Sequence, residues 1–124
     1  MLRRTSVALL FAMIAHGAVA QAPKKGVNGG DVVVVEGHPI EFVSKGQQII
    51  FYILEDDGQT PTQTKGTSGR AVVQDGGKTA AVNLAPEEPN KLVGQLAMPL
   101  GSKARVVFSA KVADHTLQAR FTTN

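Results

Sequence analysis

The chain has 124 residues, with 13 Lys and Arg against 10 Asp and Glu for a formal charge of +3, and it contains no Cys and no Trp. That length suits one domain of the usual roughly 100–200 residues, and the lack of Cys excludes disulfides, thiolate metal centres and cysteine nucleophiles. The basic balance points to an anionic partner only if the charges belong to the folded part.

Residues 1–20 place a basic Met-Leu-Arg-Arg-Thr-Ser stretch ahead of an apolar run over 7–15, followed by His-Gly-Ala-Val-Ala. A basic head, a short apolar core and small residues at Ala18 and Ala20 are the parts of a secretory signal peptide, so cleavage is expected between Ala20 and Gln21. The apolar run is too short for a membrane span, which needs about 20 residues. Arg3-Arg4 stands at the very start of the basic head and no cofactor motif follows, which favours ordinary export over the twin-arginine route. Position 21 is Gln rather than an acylatable Cys. A soluble periplasmic or secreted product with no membrane span is therefore expected.

Loss of Arg3 and Arg4 leaves 11 basic and 10 acidic side chains, a net of +1, and Lys24 and Lys25 supply two of those basic groups from an expected flexible tail over 21–30. In the body the remaining cations stand singly, scattered among the acids along the chain. A nucleic-acid partner requires a clustered basic surface, so this pattern argues against one.

The domain expected over 31–124 is all-β. Residues 31–44 read as one or two strands bent at Gly37, and 47–55 place Ile49, Phe51 and Ile53 on one face with Ile50, Tyr52 and Leu54 on the other. A strand apolar on both faces belongs in the centre of a sheet. After the Asp56-Asp57-Gly58 turn, 70–74 and 78–84 form a hairpin around Asp75-Gly76-Gly77. Residues 91–97 supply a further strand. Residues 103–113 alternate Val106, Phe108, Ala110 and Val112 against polar positions, and 116–122 repeat the pattern with Leu117, Ala119 and Phe121 inward. Asp114-His115 is the expected two-residue connection between them. Seven or eight antiparallel strands in about 100 residues match an immunoglobulin-like β-sandwich, with a closed barrel as the alternative. Phe42, Phe51, Phe108 and Phe121 are the expected heart of its core.

Few residues carry chemistry. Gly77-Lys78-Thr79 lacks the upstream Gly of a phosphate loop, since position 72 is Val, and a strand follows where that loop needs a helix. Ser68 fails the nucleophile-elbow pattern because Arg70 replaces the second Gly. Glu55, Asp56 and Asp57 read as a solvated turn. His38, His115 and Met98 are the borderline and soft ligands of the mature chain, suited to copper or zinc if the fold gathers them. With no nucleophile or acid–base pair recognisable, a non-catalytic role is expected.

Gly29-Gly30 before a Val-rich strand, His38 with Glu41, Phe51-Tyr52 before Asp57-Gly58 and Pro61, Gly76-Gly77-Lys78, Asn90-Lys91-Leu92-Val93-Gly94 and Gln118-Ala119-Arg120-Phe121 form a pattern across most of the mature chain. In these elements it resembles small exported β-sandwich proteins of Gram-negative bacteria associated with heavy-metal efflux, with domains described as YtkA-like. The resemblance implies a periplasmic binding or accessory module touching metal homeostasis, with a periplasmic protein or a metal ion as partner. It singles out His38 and Glu41 as candidate ligands, alongside Met98 and His115. Three positions apart, His38 and Glu41 share a strand face only if Pro39 introduces a bulge.

Overall fold

The computed structural model describes residues 24–124; the expected signal segment 1–20 and its cleavage positions Ala18, Ala20 and Gln21 lie outside the described residues. Nine strands run β1 Lys24–Lys25, β2 Asp31–Val35, β3 His38–Lys45, β4 Gln48–Ile53, β5 Gly69–Asp75, β6 Lys78–Glu87, β7 Lys91–Gln95, β8 Arg105–Val112 and β9 His115–Thr122. There is no helix among the described residues. All pairings are antiparallel, in one curled sheet of order β1-β2-β3-β4-β7-β6-β5-β8-β9.

The chain makes this sheet with tight hairpins and two long crossings. Glu36-Gly37, Gly76-Gly77 and Ala113-Asp114 each form a two-residue loop with both φ values positive, the type I′ geometry whose twist matches the flanking strands. At Gly46-Gln47 only Gly46 is positive. The connection over 54–68 carries the chain from β4 to β5, leaving two places in the sheet that β6 and β7 later fill, and that over 96–104 carries it from β7 back past β6 and β5 to β8. As a result β4 and β8 flank the β5-β6-β7 meander on its two sides, giving two overlapping Greek keys. β6 joins the halves of the sheet: its first part pairs with β5 from Lys78 to Leu84, and Ala85, Pro86 and Glu87 pair with β7.

The curl closes the inner faces on a shared core. Phe51 on β4 lies 4.6 Å from Phe108 on β8 and 5.9 Å from Phe121 on β9, while Phe42 on β3 lies 5.2 Å from both Phe51 and Phe121, measured between ring centroids. Such tilted pairs contribute beyond their buried area. Ile40, Ile49, Ile53, Leu92, Val106 and Leu117 are fully buried around the rings. The four phenylalanines are thus where the alternation places them.

Two expectations are revised. The strand count is nine rather than seven or eight because Lys24–Lys25 pairs with Val32 and Asp31 as β1, while 31–44 takes the two-strand form, β2 and β3, with its bend at Glu36-Gly37. The last hairpin turns through Ala113-Asp114, with Val112 opposite His115, rather than through Asp114-His115. Both registers keep inward residues inward, so alternation does not separate them. The observed pairing sets Phe108 opposite Ala119 and Val106 opposite Phe121, whereas the expected one would set Phe108 opposite Phe121.

Candidate functional site

His38 opens β3 and is largely buried. Its Nδ1–H donates to the Leu54 carbonyl at 2.9 Å, which leaves Nε2 as the acceptor nitrogen of the neutral ring. The Glu55 carboxylate stands 3.6 Å from the same Nδ1 and the Thr62 hydroxyl 3.5 Å. Through Pro39 the β2–β3 register is unbroken, with Val35 opposite His38, Val34 opposite Pro39 and Val32 opposite Glu41. No bulge intervenes, so His38 and Glu41 lie on opposite faces of β3.

Glu41 is 6% exposed on the outer face. Its carboxylate accepts the Asn28 backbone N–H at 3.0 Å, the Asn28 side-chain amide at 3.1 Å and the Gly30 N–H at 2.8 Å. A Cβ on Gly26 would overlap that carboxyl group, and one on Gly30 would overlap the Phe42 carbonyl. The loop over 26–30 can lie this close to β3 because both positions lack side chains. Glu41 is therefore the peg on which that loop hangs, its oxygens already occupied by N–H donors.

His115 begins β9, exposed, with Nδ1 3.8 Å from the Glu36 carboxylate. The β2–β3 and β8–β9 turns meet at the same end of the sheet, so His38 and His115 share that end. Met98, 72% exposed, lies at the other end in the β7–β8 connection, where the Gln47 side-chain amide donates to Ala97. The fold thus brings the two histidines to one end and leaves Glu41 and Met98 away from them. No group of three or more His, Cys, Asp or Glu placed to hold a metal ion occurs among the described residues.

The acidic run after β4 forms a loop. Asp57 accepts the N–H groups of Gln59 and Thr60, each at 2.8 Å, and the Thr60 hydroxyl. The Thr60 hydroxyl first, then the two N–H donors, hold its carboxyl below the usual aspartate range. This self-contained turn stands up beside β4. Behind it, the fully buried Thr64 donates to Lys91 at 2.9 Å, and the buried Asn90 amide donates to Ile53 at 3.0 Å. These bonds anchor the 54–68 connection to the β6–β7 turn.

Between the 26–30 loop and the 55–60 turn, the outer face of β2, β3 and β4 forms a trough of about 510 Å³. Val32, Val34, Pro39, Tyr52 and Leu54 line it together with Val27 from the loop. Val27 is 96% and Val34 61% exposed; with Met98 they are the large apolar side chains left open to solvent among the described residues. Most of the apolar second face expected of residues 47–55 is this trough: Tyr52 and Leu54 lie in it, while Ile50 is buried. Sequence reasoning missed Val27 and Val34, because a run of four valines does not say which of them face out.

No helix among the described residues is long and apolar enough to cross a membrane. No protein-family model matches this chain, and neither a curated protein nor a solved structure shows significant similarity to it.

Proposed function

We propose that this protein is an exported, non-catalytic binding or accessory module, an immunoglobulin-like sandwich in its export context, that holds an apolar segment of a partner polypeptide in the β2–β3–β4 trough. One observation carries the reading: two of the three large apolar side chains open to solvent among the described residues, Val27 and Val34, line the same concave site. A clustered exposed apolar surface beside polar rims marks an interaction site, whereas scattered ones need no explanation. The walls are pre-formed, one pegged by Glu41 and the other closed by Asp57 on itself, so little ordering entropy opposes binding. The signal-like residues 1–20 and the likeness to accessory domains of metal-efflux systems support a periplasmic setting.

Titration with the neutral apolar fluorophore Nile red tests the site. Saturable binding that Val34→Lys and Leu54→Lys each abolish, with a valine- and leucine-rich peptide shifting amide resonances of Val27, Val32, Val34 and Tyr52, is the expected result. Peptide-induced shifts confined to other strands would refute it.

A further inference from the structure

All three arginines among the described residues, Arg70, Arg105 and Arg120, project from one face of one half of the sheet. In the ladders Gln74 stands opposite Arg105 and Arg105 opposite Thr122; Val72 stands opposite Val107 and Val107 opposite Arg120; Arg70 stands opposite Ser109. Directly opposed residues, and residues two apart on a strand, share a face. The intervening positions Ala71, Val73, Val106, Phe108, Ala119 and Phe121 are buried, so the arginines' face is the outer one, and Lys111 lies on it too. No Asp or Glu falls at an outward position of this face on β5, β8 or β9, and the outward acid of β6, Glu87, lies in the segment paired with β7, opposite Lys91. None of these four cations has an ion-pair partner among the described residues, where Lys25, Lys65 and Lys91 each have one and Lys24, Lys45, Lys78 and Lys103 likewise have none.

The face is furrowed where the arginines meet. A depression of about 450 Å³ is lined by Val72, Gln74, Arg105, Val107, Arg120 and Thr122. It adjoins a second of about 370 Å³, where Arg105 and Gln74 recur with Thr79 and Lys103. Arg105 and Arg120 are diagonal neighbours on adjacent strands, roughly 7–8 Å apart at the backbone, within reach of successive anionic groups on one ligand. Planar guanidinium forks match carboxylate and sulfate oxygens bidentately.

From this arrangement we propose that the outer face of β5, β8 and β9, distinct from the trough, binds an acidic polysaccharide. The cations select the anionic groups, and the interleaved amide and hydroxyl side chains of Gln74, Thr79, Ser109, Gln118 and Thr122 suit a hydroxyl-rich chain. The face presents no aromatic side chain on which a nucleobase would stack. The exposed Val27, Val34 and Met98, which would enter a bilayer, lie off it.

Isothermal titration and affinity electrophoresis at low and physiological salt decide the matter, with polygalacturonate as probe, dextran as neutral glycan, a DNA duplex and phosphatidylglycerol vesicles. Polygalacturonate binding is expected, weakening with salt and falling about tenfold or more in the Arg105→Gln/Arg120→Gln double variant, as loss of charge-assisted hydrogen bonds requires. Lys65→Gln, which removes one cation elsewhere, is expected to bind as the parent does. Thermal melts of the variants should superimpose, since the replaced side chains are exposed. Absence of polygalacturonate binding, tighter binding to DNA or vesicles, or equal loss in Lys65→Gln would each overturn the proposal.

Discussion

Glu41 shows how one side chain serves two levels of structure. Its position on β3 is ordinary strand, yet its carboxylate satisfies three donors from the 26–30 loop and so builds one wall of the trough. Glu41→Ala leaves the Asn28 and Gly30 N–H groups without their acceptor, and is expected to destabilise the fold by about 1–3 kcal/mol. A urea midpoint shifted at constant m value, with Nile red affinity lost in parallel, is the measurable outcome. The residue is visible in the sequence as a carboxylate on an apolar strand, and the resemblance offers it as a candidate metal ligand. What the sequence did not show was a loop of small residues, closing from eleven and more positions upstream, that occupies its oxygens.

At the level of elements, the hairpins follow local chemistry closely. Gly76-Gly77 and Glu36-Gly37 supply the left-handed residues that type I′ loops require, and both turns fall where glycine marks them. Ala113-Asp114 is the exception, with φ of 48° and 65° at non-glycine positions. An L-residue held in that region costs about 1–2 kcal/mol, and alanine lacks the side-chain hydrogen bonding that eases it for Asp. Ala113→Gly is therefore expected to stabilise the protein by about 1 kcal/mol, a rise of roughly 4–8 °C in Tm for a domain of this size. Differential scanning calorimetry measures it; a lower Tm would mean that the loop conformation is not the one described. The turn at this position sets Phe108 opposite Ala119 across the ladder.

Across the whole molecule the core converges on Phe51, whose ring meets those of Phe42, Phe108 and Phe121 from three other strands. Phe51→Ala removes the contact that joins the two halves of the curled sheet and is expected to cost about 3–5 kcal/mol, read as a loss of denaturation midpoint and of near-ultraviolet ellipticity. Val43 and Ser44 lie close to the C-terminal residues at the sheet's other seam, and β2 approaches β9 there without a ladder between them. Charge is also arranged at this scale. Glu36, Glu55, Asp56, Asp57, Glu87, Glu88 and Asp114 belong to the turns at the His38 end, while Lys45, Lys78, Lys103 and Arg105 belong to the opposite end. A chain whose cations and acids are scattered along its length becomes a molecule with one end rich in acids and an arginine-lined face.

The sequence by itself determined the all-β class, the glycine-marked hairpins and the inward residues, because period-two alternation and glycine turns are local properties that a strand carries wherever it goes. It also marked the two faces of β4 as apolar. Only the tertiary structure decided which strands are neighbours. The β4–β7 and β5–β8 pairings span crossings that no local pattern encodes, and with them come the trough, the Glu41 peg and the gathering of Arg70, Arg105 and Arg120. The same holds for the candidate ligands: His38 and His115 lie at one end and Met98 at the other because strand order and direction, rather than spacing along the chain, decide where each side chain stands.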